Sequence, residues 1–216
     1  MSNLKKAKVA VLVSGGGTNL QAIIDAVGAG IIKNAEISLV VSNNPNAYAL
    51  TRAENAGIVT KVISKRECGT QEVFEGKLID TLTENGIELI VLAGFMSILS
   101  ADFTKRYERR IINVHPSLIP SFCGKGFYGL HVHEAALEKG VRVSGATVHI
   151  VTPECDAGPI VLQKAVEVKQ DDTPEILQKR IMEEAEWKIL PEAVKLFCED
   201  RITVKENKVY IKGEQA

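Results

Sequence analysis

Asn113 and His115 stand two residues apart in Asn113-Val114-His115-Pro116. On a strand that spacing turns both side chains to one face. Histidine is the side chain whose charge changes nearest neutral pH, and an amide beside it can donate to a developing oxyanion. The pair suits proton transfer and oxyanion stabilisation; it also suits a plain polar cap on a strand end. Asp156 is the candidate acidic partner, because a carboxylate beside an imidazole favours the imidazolium and can relay protons. It lies in Glu154-Cys155-Asp156-Ala157-Gly158-Pro159, a composition that also makes turns. Spacing alone does not bring it to His115.

A second candidate is Ser14-Gly15-Gly16-Gly17-Thr18-Asn19. Free N–H groups and partial positive charge at a helix start attract anions, and glycines let a phosphate approach the backbone. Gly17, Thr18 and Asn19 are the expected anion contacts; a tight turn needing positive φ is the other reading. Leu20 replaces the third glycine of a dinucleotide fingerprint and the lysine of a P-loop is absent, which argues against NAD and ATP. Thr18 with Gln21 fits a capping box. His131-Val132-His133-Glu134 is read as the polar start of a helix, since no further ligand set accompanies it. His149 faces either core or site. Phe95 and Met96 are either core or the wall of a pocket for a flat ring.

Elements must position these groups. Val9–Val13 is apolar throughout, as in a strand buried on both faces. Similar runs cover 37–41, 59–63, 89–92 and 111–115. Helical patterns cover 48–56, 71–84 and 133–138, and follow the glycine loop with Leu20, Ile23, Ile24 and Val27 on one stripe. Alternating strands and helices imply right-handed crossovers and an open parallel sheet. The residues 143–151 and 160–168 form two longer strands around the loop 152–159. Thr173-Pro174 opens a long helix with an apolar face of Leu177, Ile181, Ala185 and Ile189, and Pro191 is expected to kink it or mark a junction. Residues 202–204 and 209–211 form a terminal hairpin. The expected fold is α/β: an open, mostly parallel twisted sheet with helices on both faces, Rossmann-like, in a single domain 1–216.

The net charge of -1 gives no reason to expect nucleic acid or an acidic membrane surface as partner. Lys5, Lys6 and Lys8 precede an apolar run too short for an export signal. The four cysteines, Cys68, Cys123, Cys155 and Cys198, form no CxxC pair. Reduced thiols in the cytoplasm, and no metal, are the expectation.

Four segments together resemble the folate-dependent phosphoribosylglycinamide formyltransferases. They are residues 14–23, Val91-Leu92-Ala93-Gly94-Phe95-Met96, Asn113-Val114-His115-Pro116-Ser117-Leu118-Ile119-Pro120, and 148–152 through 156–160. The resemblance runs from about Val9 to Phe197. It implies the formyltransferase fold and formyl transfer from 10-formyltetrahydrofolate to the glycyl amine of a phosphoribosylglycinamide, in purine biosynthesis. Gly17, Thr18 and Asn19 would hold the phosphate, and Glu186 the ribose. Met96, Ser97, Ile98, Leu99 and Asn113 would border the folate, and Thr152, Pro153, Glu154, Cys155 and Asp156 would close its other side. Asn113, a protonated His115 and Asp156 would be catalytic. A monomer and a homodimer both fit.

The chain departs from the family pattern in two places. Residues 121–129 make a longer link than some members have, and Gln71 stands where some carry a ligand-binding arginine, with Lys65 and Arg66 nearby. Three rival readings differ from this one in what they require. A formyltetrahydrofolate hydrolase would carry a regulatory domain before Val9, a methionyl-tRNA formyltransferase a basic RNA-binding domain after the core. A non-catalytic binding module would not need Asp156 on His115.

Overall fold

The computed structural model describes residues 6–213. Lys5 and the two ends of the expected unit 1–216 lie outside the described residues. One sheet holds β1 (Ala7–Val13), β2 (Ala35–Ser42), β3 (Thr60–Val62), β4 (Leu89–Leu92), β5 (Ile111–His115), β6 (Val143–Ile150) and β7 (Ile160–Glu167). Their spatial order is β3-β2-β1-β4-β5-β6-β7. β1 to β5 pair in parallel, whereas β6 runs antiparallel to β5 and β7 antiparallel to β6. The mostly parallel sheet is as expected. β8 (Ile202–Lys205) and β9 (Lys208–Ile211) form the separate terminal hairpin.

The helices are α1 (Thr18–Gly28), α2 (Tyr48–Asn55), α3 (Lys65–Cys68), α4 (Gln71–Glu84), α5 (Ala101–Arg106), α6 (Leu130–Glu138), α7 (Pro174–Ile181) and α8 (Trp187–Cys198). α3 and α5 are too short to show a helical stripe in the sequence. Two apolar clusters cover the two faces of the sheet. Leu20, Ile23, Leu177, Leu190 and Val194 belong to one, Phe74, Leu78, Leu82 and Phe103 to the other. Val9 to Val13 therefore lose all exposure, because successive side chains enter opposite cores.

The strand order reverses between β1 and β4, which lie side by side but lead the chain apart. Ligand clefts form at such switch points, outside the carboxyl ends of the strands. The glycine loop follows β1, residues 93–100 follow β4, and Asn113 and His115 end β5.

Two local expectations need correction. Thr18 is not a cap: α1 is preceded by Gly17 in the left-handed conformation, at φ 71°, with no side-chain cap. The Thr18 hydroxyl instead points to Met182 Sδ at 3.7 Å, and Gln21 donates to Asp25. Pro191 lies inside α8, and the junction falls a turn earlier, in a π-helical turn at Met182–Glu186. There the Trp187 N–H reaches back to the Met182 carbonyl, which takes one extra residue into the turn. Among the described residues no helix is long and apolar enough to cross a membrane.

Candidate active site

The reversal at β6 sets Asn113 directly opposite His149 and His115 opposite Thr147. Directly opposed side chains share a face. Asn113 Nδ2 lies 3.1 Å from His149 Nε2, and Asp156 reaches over both histidines. Its Oδ2 is 3.6 Å from His115 Nδ1 and its Oδ1 is 3.5 Å from His149 Nε2. The three residues singled out in the sequence thus meet, and His149 joins them. Alternation with Val148 and Ile150 allowed His149 on either side; only the register against β5 decides it.

Asp156 is held in place by unusual backbone. It adopts φ 53°, a conformation that Asp tolerates better than most residues, and accepts the Gly124 N–H at 2.9 Å. The loop can fold this tightly because Gly158 carries no Cβ: one there would run into the Ile150 carbonyl oxygen. Burial works against the Asp156 charge. The His149 contact, the neighbouring His115 and the Gly124 N–H outweigh it, and bring the carboxyl down to about 2. Asp156 is a carboxylate at neutral pH.

His115 is the reverse case. Burial lowers its affinity for a proton more than the Phe122 carbonyl and Asp156 raise it, and His149 adds to the lowering. The net effect is a proton affinity lowered from the ordinary 6.5. Burial thus works against the protonated His115 that the resemblance implies. A carbonyl only accepts, so the 2.9 Å contact between Nε2 and the Phe122 oxygen places the proton on Nε2. Nδ1 then turns its lone pair toward Asp156, across a gap too long for a hydrogen bond. A proton arriving at Nδ1 would find a carboxylate waiting.

His133 is a second neighbour the sequence did not reveal. It is fully buried, with no hydrogen-bond partner on either ring nitrogen. Burial, and then His115, hold it down to about 4. His131 pairs with Glu134 at 2.9 Å. Among the described residues no group of three or more His, Cys, Asp or Glu side chains is placed to hold a metal ion.

The glycine loop is gripped from behind by α2. Ala49 N–H donates to the Gly15 carbonyl at 3.1 Å, and Arg52 Nε to that of Gly16 at 2.8 Å. A Cβ on Gly17 would lie 2.5 Å from that of Ala49. The first N–H groups of α1 are left without partners inside the helix. Asn19 Nδ2 donates to Glu186 Oε2 at 2.7 Å, while Asn19 Oδ1 is buried without a partner. Burial pushes the Glu186 carboxyl up to about 7 against the pull of Asn19.

In the loop after β4, Met96 and Ile98 are exposed, at 54% and 75%. Leu99 is not: its side chain enters the second core, so it borders the cleft through its backbone alone. Pro153, Glu154 and Cys155 are exposed and Thr152 half-buried across the way. A groove of about 780 Å³ runs on the other flank of Asp156, between residues 119–124, 154–160 and the terminal hairpin. It touches the cluster only through Asp156. The four cysteines are unpaired. Burial and Asp156 raise the Cys155 thiol to about 11, which leaves it inert at neutral pH.

Residues 7–194 match the formyl transferase family model. The chain belongs to the formyl transferase family. Its relatives in this family include the phosphoribosylglycinamide formyltransferase of Haemophilus influenzae, 41% identical over 96% of this chain and 94% of its own. The trifunctional purine biosynthetic protein adenosine-3 of Gallus gallus is 47% identical over 93% of this chain, which spans only 19% of that protein's length. The crystal structure of glycinamide ribonucleotide transformylase 1 from Symbiobacterium toebii superposes with a TM-score of 0.89, at 40% identity, over 95% of this chain and 94% of its own.

Proposed function

We propose that this chain transfers the formyl group of 10-formyltetrahydrofolate to the glycyl amine of N1-(5-phospho-D-ribosyl)glycinamide, a step of purine biosynthesis, on soluble small molecules in the cytoplasm. The observation that carries this reading is the convergence of Asn113, His115, His149 and Asp156 beside a glycine loop whose Asn19 is tied to Glu186.

The phosphate is assigned to the N–H groups of Gly17, Thr18 and Asn19 at the start of α1. Because the Asn19 amide group is committed to Glu186, its free Oδ1 suits a donor such as a ribose hydroxyl. Glu186 is given the ribose. Met96, Ser97, Ile98 and the Leu99 backbone are given one side of the folate, and Asn113 and the 152–156 loop the other.

The amine attacks the formyl carbon, and the carbonyl π electrons move to oxygen. Asn113 Nδ2 donates to that oxyanion; loss of one such donor costs about 3 kcal/mol. The amine sheds a proton as its bond to carbon forms. The His115–Asp156 pair receives it, which a neutral imidazole beside a carboxylate favours. Collapse of the oxyanion breaks the bond from carbon to folate N10, and the same proton leaves on that nitrogen.

The test offers purified protein 10-formyltetrahydrofolate with and without the ribonucleotide. Tetrahydrofolate release only with the ribonucleotide is expected. Equal release in water alone would turn the reading to a hydrolase, and no release in either case would sink it.

A further inference from the structure

The loop from Gly94 to Ser100 exposes Met96 and Ile98 on either side of half-buried Ser97. Exposed apolar side chains contribute little to holding their own backbone, so a loop built this way wanders unless something else anchors it. Polar anchors do so here. Ser14 Oγ accepts the Met96 N–H at 2.8 Å, and Asn43 Nδ2 donates to Ser97 Oγ at 2.7 Å. The far end is held by α4. Gln71 Nε2 donates to the Ile98 carbonyl at 3.1 Å and to Glu75 Oε1 at 2.6 Å. Glu75 accepts the Ser100 N–H at 2.6 Å through Oε1 and the Ser100 hydroxyl at 2.5 Å through Oε2.

Glu75 is only 7% exposed and shares its helix with core residues Phe74 and Leu78. A carboxylate there needs its hydrogen bonds, because a buried charge without partners is strongly destabilising. An apolar residue would serve packing alone at least as well. What the carboxylate adds is direction: it fixes Ser100 and, through Gln71, Ile98. Ser100 in turn caps α5 through the Phe103 N–H. Both recorded contacts of the Gln71 amide nitrogen are spent inside the protein, so Gln71 acts on the loop.

We propose that Gln71 and Glu75 are positioning residues that hold the 94–100 loop in the shape that receives the formyl donor. This rests on the formyl-transfer reading above. The test compares wild type with Glu75→Ala, Glu75→Gln and Gln71→Ala. It measures KM for donor and ribonucleotide separately, kcat, thermal stability, and tetrahydrofolate binding by calorimetry. Losing bonds to a charged group predicts a rise in donor KM and tetrahydrofolate Kd of about tenfold for Glu75→Ala. The ribonucleotide KM stays within about twofold, since the contacts of Gln71 and Glu75 go to Ile98 and Ser100 and none to the glycine loop. Glu75→Gln, which keeps an acceptor and gains a donor for the Ser100 hydroxyl, restores most of the loss. If Glu75→Ala does not fold, Gln71→Ala carries the same test with a rise of about threefold.

Equal movement of both KM values, or a fall in thermal stability alone, would overturn the clamp. So would failure of the wild type to bind tetrahydrofolate. Calorimetry needs no turnover. A wild type that binds tetrahydrofolate but transfers nothing therefore sinks the functional reading, while the variants still decide on the clamp.

Discussion

The side-chain amide of Asn19, in the first turn of α1, donates to Glu186 Oε2 at 2.7 Å across a sequence separation of 167 residues. The bond ties the start of the chain's first helix to the π-helical turn of its last long helical segment, and it satisfies only one oxygen of a carboxyl that is 5% exposed. Burial therefore keeps its pKa at about 7 rather than 4.5. A raised acid binds more protons folded than unfolded between those values, so stability falls as pH rises from about 4.5 to 7.

Glu186→Gln removes that penalty, worth up to about 3 kcal/mol at pH 8 by the size of the shift. Relative to wild type, the variant should gain thermal stability at pH 8 over pH 5. It should also lose affinity for the ribonucleotide, and the pH dependence of that KM near 7 should flatten. Melting curves and KM measured from pH 5 to 8 check both; a constant offset between the two proteins would contradict the raised carboxyl.

In the proposed mechanism His115 works as a neutral proton acceptor. Its pKa lies below 6.5, so the active form is lost as pH falls through that lower value and is complete above it. The expected profile of kcat, read at saturating ribonucleotide so that titration of Glu186 does not enter through KM, is a plateau from pH 7 upward with an acid limb below 6.5. A decline from pH 6.5 to 8 would mean that the charged ring is the working one. His115→Ala should lower kcat by at least about 100-fold.

Asp156→Asn keeps a side chain that tolerates left-handed backbone and still accepts from Gly124, so the fold should survive. The charge facing His115 Nδ1 is gone, and kcat should fall by about 100- to 1000-fold with KM little changed. Wild-type stability carries a related signature. Its neighbours bring Asp156 down to about 2 in the folded protein from an ordinary 3.8, a depressed acid, so its contribution is complete above 3.8 and is lost as pH falls toward 2. Acid titration of the two proteins by circular dichroism checks this: the difference between them should shrink across that window.

Gly17→Ala meets two obstacles, the φ of 71° and the Ala49 Cβ at 2.5 Å. A strained left-handed residue costs about 1–3 kcal/mol. The ribonucleotide KM should rise with the loss of stability, and the tetrahydrofolate Kd should not. Calorimetry on the folded variant separates the two.

Much of this architecture was legible in the chain. β1 and β4 announce themselves because a strand between two helical layers must be apolar at every position. The bounds 71–84 of α4 are readable from Asn85-Gly86 at one end, and Thr70 caps the other by accepting from Val73. What could not be read depends on contacts distant in sequence. The antiparallel pairing of β6 is written in no local pattern, and His149 enters the site only through it. Thr18 looked like a cap because its residue type and spacing fit; the left-handed Gly17 pre-empts the role. Leu99 follows exposed Ile98 and turns inward because α5 begins just beyond it. The lowered proton affinity of His115 comes chiefly from burial, which spacing does not report.

The π-helical turn has a further consequence, as a phase setting. Leu177 and Ile181 are buried before it, Ala185 within it, and Leu190, Ala193 and Val194 after it, and the wide turn at 182–186 keeps both rows facing the sheet. Deleting any one residue of that turn would leave an ordinary helix advanced by about 100°. One row or the other would swing out of the core, and Glu186 would leave Asn19 behind. Length at this point is therefore as constrained as identity: insertions and deletions here should be tolerated less than most single substitutions.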